Sequence, residues 1–202
     1  MGAPLNQGLI GKQTGSNLVQ TGGEFGERLV SELQARYYEQ AYRGNVFIGA
    51  TQAVITFTAG LTTATGLVFG IQNAPSASVA APKNLVLLNA SFTLLSTTSC
   101  AVGLSIGPTT ATFNTATTTG PTISSALGAV GSGSVARVVS VVASPVVQCI
   151  LGGMSGASAI SEATNFVDLG GSIIITPGST ATIVTSAAQT GWASLTWIEV
   201  PI

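Results

Sequence analysis

The stretch Asn84-Leu-Val-Leu-Leu-Asn-Ala-Ser-Phe-Thr-Leu-Leu95 decides the fold. Val86, Leu88, Ala90, Phe92 and Leu94 form an unbroken apolar face, while Asn89, Ser91 and Thr93 point the other way. A period of two is that of a pleated strand with one face against a core. The stretch therefore predicts a long strand over 84–95.

The same reading extends toward the C-terminus. Ser172 to Thr176 leads into Pro177-Gly178, the pair that a type II turn takes at its central positions, and the chain returns through Thr180 to Ser186 as a hairpin. Trp192 to Val200 places Leu195 and Trp197 on one side and Ser194 and Thr196 on the other. Shorter apolar runs give strands at 46–57, 61–71, 99–106, 134–142 and 145–151. Thr-rich 109–122 and Gly/Ser-rich 128–134 read as loops, and Glu162 to Asp168 as a surface loop near a turn. Some eight strands between turn signals predict an all-β fold, a jelly-roll-like two-sheet β-sandwich spanning 44–202.

Residues 1–43 are of another character. They hold eight of the thirteen charges (Lys12, Glu24, Glu27, Arg28, Glu32, Arg36, Glu39 and Arg43), while Lys83, Arg137, Glu162, Asp168 and Glu199 are the five in the rest of the chain. Residues 1–22 are rich in Gly, Gln, Asn and Thr without periodicity and read as an N-terminal arm. Residues 24–43 read as a short helix. Glu24/Arg28, Glu32/Arg36 and Glu39/Arg43 are acid-before-base pairs at i,i+4. Val30, Leu33, Tyr37 and Ala41 share one face, and Gly44 stands at the stop. Alternation over 36–43 also admits a strand. All three tyrosines lie here, so Arg36, Tyr37, Tyr38, Tyr42 and Arg43 are candidate interface residues. The plainer alternative is a solvated helix whose tyrosines cap the domain core.

Composition excludes several functions. Only 6% of the 202 residues are charged, where soluble domains carry about a quarter. Six scattered basic residues make no phosphate-neutralising stripe, so nucleic acid is not an expected partner. The chain contains no histidine, which removes the commonest general base, the histidine-dependent nucleophile systems and the commonest zinc ligand. No catalytic, cofactor or metal site is expected, and the chain reads as a non-enzyme. Cys100 and Cys149 sit in apolar runs and read as two buried thiols, with a disulfide as the alternative.

Short motifs add little. Gly128-Ala-Val-Gly131-Ser-Gly133 has the wrong spacing for a dinucleotide fingerprint, and Gly152 to Gly156 reads as a turn whose Ser155 has no histidine to activate it. Asn89-Ala-Ser91 matches a glycosylation sequon but falls within a strand. Glu162, Asn165 and Asp168 offer three oxygen ligands at a spacing that fits no calcium loop. Residues 53–71 are uncharged over a membrane-spanning length, yet five Thr and three Gly argue for strands, so no membrane is expected. Met1-Gly-Ala-Pro-Leu-Asn-Gln-Gly8 lacks the basic and apolar regions of a secretory signal, which predicts assembly inside a cell.

The body carries 43 Ser and Thr in 159 residues against its five charges. A near-neutral, hydroxyl-coated domain associates, so its contacts with neighbours must be specified. The charged segment Leu29-Val-Ser-Glu-Leu-Gln-Ala-Arg-Tyr-Tyr-Glu-Gln40, the Thr/Ala/Gly-rich body and the ending Trp192-Ala-Ser-Leu-Thr-Trp-Ile-Glu-Val-Pro201 together resemble the jelly-roll auxiliary or decoration proteins of tailed-phage particles. The resemblance lies in layout and covers most of the chain. It implies a virion structural protein, assembled in the host cytoplasm, that forms symmetric homo-oligomers (trimers favoured) on a shell of major capsid protein and stabilises it. Self-assembling filaments or surface layers joined by arm exchange are the alternative expectation, and a carbohydrate-binding sandwich using Trp192 and Trp197 is the last.

Overall fold

The computed structural model describes residues 37, 40–41, 43–57, 59–61, 69–75, 80–95, 98–108, 112–113, 122–126, 134–141, 146–154 and 163–202. The chain divides into two units, Met1–Tyr38 and Glu39–Ile202. In the first only Tyr37 is described, so most of the arm and helix predicted over 1–43 lies outside the described residues, as do Arg36, Tyr38 and Tyr42.

The second unit opens with the predicted helix stop. Residues 40–41 are helical, and Gly44 N–H donates to Ala41 O (3.0 Å) while Asn45 N–H donates to Gln40 O (3.0 Å). This crossed pair of bonds is a Schellman cap, with Gly44 at the left-handed position.

Twelve strands follow: β1 Val46–Ala50, β2 Ile55–Phe57, β3 Phe69–Asn73, β4 Lys83–Leu94, β5 Cys100–Pro108, β6 Thr112–Phe113, β7 Thr122–Ser125, β8 Ala136–Val141, β9 Val146–Met154, β10 Ala163–Ile175, β11 Ser179–Thr185 and β12 Gln189–Pro201. They form two antiparallel sheets. Sheet 1 has the order β10-β4-β12-β1-β7, with β2 also on β12, and sheet 2 the order β6-β8-β3-β11-β5-β9. The pairings are nested: β5 with β9, β4 with β10, β3 with β11 and β1 with β12. The chain is thus one long hairpin wrapped around a core, which is the jelly-roll topology. The segment between β5 and β9 supplies β6, β7 and β8, which extend both sheets beyond β1 and β3.

The core lies between the sheets. Phe47, Leu85, Phe92, Leu195 and Trp197 from sheet 1 meet Phe69, Ile71, Val102, Leu104 and Ile183 from sheet 2. Trp197 is fully buried and stacks on Phe47 with ring centroids 6.2 Å apart, and its ring lies over Gly49 and beside Ile71. Each such aromatic contributes roughly 2–3 kcal/mol by burial.

Five sequence expectations need correction. In β4, Ala90, Phe92 and Leu94 face the core as expected, but so do Leu85 and Leu87, and Val86 faces outward. Leu88 is a bulged residue: β12 slips register between Thr196 and Trp197 opposite it, which flips the alternation by one.

The Pro177-Gly178 turn forms as predicted, closed by Ser179 N–H on Thr176 O (3.0 Å) with Gly178 at φ 90. Its flanking strands, however, do not pair as a hairpin. β10 belongs to sheet 1 and β11 to sheet 2, so the turn is a corner between sheets. Asn73 fastens that corner, its Nδ2 donating to Lys83 O (2.7 Å) and Ile175 O (2.8 Å).

Finally, 163–168 is not a loop, and Glu162 lies outside the described residues. The segment enters β10, whose ladder on β4 shifts between Asp168 and Ile173. Gly170 and Gly171 both take positive φ there (59 and 78), so the Gly-Gly pair makes a wide bulge and not a chain reversal. Likewise Gly152 to Met154 end β9, and β6 and β7 arise within the Thr-rich 109–122 stretch and just after it.

Candidate interaction surface

Strand alternation sorts the side chains of sheet 1 into two sets. Outward lie Asn89, Ser91 and Thr93 on β4 and Trp192, Ser194 and Thr196 on β12, all incompletely buried. Ser91 and Ser194 are cross-strand partners whose hydroxyls sit 2.6 Å apart. On β10 two outward residues are large and apolar: Phe166 is 69% exposed and Ile174 54%. Among the described strand residues of this face, Asp168 is the one charged residue, and its Oδ1 accepts the Gly170 N–H at 2.8 Å, bracing the bulge. The result is a broad neutral surface of hydroxyls and scattered apolar groups.

Sheet 2 differs. Its outward threonines on β11 are buried: Thr182 Oγ1 lies 2.7 Å from Ser105 Oγ, and Thr180 Oγ1 donates to Gly107 O at 3.0 Å. The expectation of hydroxyl-coated outer faces thus applies to sheet 1 and not to the centre of sheet 2. Among the described side chains of sheet 2, its edge strand β9 presents large apolar groups, Val146 (62% exposed) and Ile150 (57%).

The remaining polar chemistry is structural. Glu199 is buried at one end of the core, where its carboxylate accepts from Lys83 Nζ (3.0 Å), Ser134 Oγ (2.6 Å) and the Val135 N–H (2.8 Å). It joins β12 of sheet 1 to the start of β8 in sheet 2. Asn165 and Asp168 sit on opposite faces of β10, so they cannot share a cation, and Glu162 lies outside the described residues. Among the described residues no three His, Cys, Asp or Glu cluster in a way that would hold a metal. No helix among them is long and apolar enough to cross a membrane.

Cys100 and Cys149 are free thiols. Cys149 stands opposite Leu104 and Cys100 opposite Met154, so they are separated along the β5–β9 ladder and do not form a disulfide. Burial pushes the Cys149 thiol pKa up. Of the candidate interface residues, Tyr37 is half-buried at φ 78 and Arg43 is exposed. Of the two tryptophans offered for sugar stacking, Trp197 is in the core, which leaves Trp192. Sequence reasoning missed Phe166 and Ile174 because the strand that carries them is interrupted by a glycine pair.

No protein-family model, no curated protein and no solved structure matches the chain. The functional reading therefore rests on the sandwich and its surface chemistry.

Proposed function

We propose that this chain is a virion structural protein, a capsid decoration or minor capsid subunit that works by symmetric packing on copies of itself and on a shell. The observation that carries the reading is the outer face of sheet 1, with its Ser91–Ser194 hydroxyl pair, exposed Phe166 and Ile174, and Asp168 as its one charge among the described residues. A free-standing domain spreads charges over such a surface to stay dispersed. A neutral face costs little desolvation when a neighbour covers it, and such contacts vary little with salt. The jelly-roll supports this role because it presents the broad outer face of sheet 1 on a rigid core. The tyrosine-bearing segment around Tyr37 and Arg43 supplies the tether to a neighbour or to the shell.

Negative-stain electron microscopy of the purified protein, with mass measurement in solution, tests the proposal. Discrete rings or closed clusters are expected. Fibres would favour the second reading, a filament subunit joined by arm exchange, which the same neutral surface also suits. Stable monomers that do not bind shells would overturn both.

A further inference from the structure

The two lateral sides of the sandwich are not alike. Among the described residues one side ends in short strands, β7 with four residues and β6 with two. Short edge strands are a standard protection against unwanted pairing. The other side ends in β10, 13 residues long, and β9, 9 residues long. Among the described residues β10 pairs only with β4 and β9 only with β5, so each presents a row of backbone N–H and C=O groups along its outer side. Bulges interrupt both strands, but the charged and proline devices are almost absent from this side. The two strands contain no Lys, Arg or Pro, and their 22 residues (13 and 9) include one charge, Asp168. Beside the edge stand the most exposed large apolar side chains among the described strand residues: Val146, Ile150, Phe166 and Ile174.

Resting on the packing role argued above, we infer that the β9/β10 side is where one copy of this chain meets another. Three features favour a second copy as occupant. A contact between identical surfaces brings like charges together, and this side holds almost none to repel. The backbone edge demands strand-like partners, and every copy carries the same long edges. The size also fits: β10 runs alongside Leu85–Leu94 of β4, about 33 Å, two sheets with their side chains are about 20 Å thick, and the product, ~660 Å², falls within the roughly 600–1,000 Å² per partner of a standard interface. The Gly170-Gly171 bulge breaks the β10 edge and β9 shifts register twice against β5, which leaves Ala163–Val167 as the regular segment that fixes the register of docking.

The test uses the full-length protein and light scattering coupled to size exclusion. Three variants are compared with the wild type: Ile150→Lys on β9, Phe166→Glu on β10, and Ala126→Lys, an exposed position just after β7 on the opposite side. Each of the first two replaces an exposed side chain, so the fold is retained, as unchanged far-UV circular dichroism will verify. The expected result is loss of at least half of the oligomer mass for Ile150→Lys and Phe166→Glu, with Ala126→Lys unchanged. If the wild type assembles and both edge variants assemble equally well, the β9/β10 interface is wrong while the packing role survives. If the wild type is monomeric, the interface and the packing role fall together.

Discussion

Replacing Glu199 by alanine removes the one acceptor that three donors share at the end of the core. Glu199 has no exposed side-chain surface, and Lys83, Ser134 and the Val135 N–H all donate to it within 3.0 Å. Breaking a buried ion pair from one side costs about 3–5 kcal/mol, and each hydrogen bond to a charged group about 1.5–3 kcal/mol. The Lys83 side chain is 25% exposed and can return its ammonium to water, which places the sum near the low end, about 3 kcal/mol. For a chain of this size that corresponds to a fall in Tm of roughly 6–12 °C. Glu199→Gln keeps the shape and one acceptor and should lose about half as much. Scanning calorimetry at one fixed protein concentration measures the shift, since association would otherwise move Tm. Hydrogen exchange locates it: the amides of Val135 and Ala136, at the start of β8, should lose protection first. A Glu199→Ala protein melting within 2 °C of wild type would refute the clamp.

Two further outcomes are expected. A Cβ on Gly191 would lie 2.0 Å from Thr93 O, a backbone atom of the neighbouring strand, so Gly191→Ala should abolish cooperative unfolding. Gly152→Ala, whose Cβ would meet only the side chains of Phe92 and Asn165 at 3.2–3.3 Å, should fold with a modest loss, and the two melting curves compared side by side test the difference. With burial raising the Cys149 pKa and Cys100 enclosed in the core, both thiols should react much more slowly with a disulfide reagent at pH 8 in the native protein than in denaturant. Immediate native labelling would contradict the burial, and a mass lower by two hydrogens would contradict the free thiols.

The architecture was legible where alternation was clean. Ala90 to Leu94 and Leu195 to Trp197 declared both the strand and its buried face. Where apolar residues run on, as in Leu85-Val-Leu-Leu88, alternation carries no phase, and the bulge at Leu88 was invisible. Asp168-Leu-Gly-Gly171 has turn chemistry and forms a local irregularity, but only pairing with β4 decides that the chain continues straight. The Pro177-Gly178 turn was equally local: it fixes a reversal and says nothing of which sheet receives the next strand. As for the surface, its neutrality could be counted from composition. Its apolar members could not be named, because exposure of Phe166 and Ile174 depends on β10 being an edge strand of sheet 1.

The nested pairing also orders events in time. Val46 pairs with Ile198 across nearly the whole described chain, whereas β5 and β9 meet over a much shorter loop. Loop closure favours the inner pairs first, so the hairpin closes from its tip toward its open end. β12, which stands between β4 and β1 in sheet 1, follows every other strand along the chain. During synthesis that sheet therefore lacks its central strand until the ribosome has delivered Gln189–Pro201, and β1 waits for its principal partner. Until then β1 and β4 lack their common neighbour and the core face of sheet 1 stands open, so the arrival of β12 completes the pairing and the burial together.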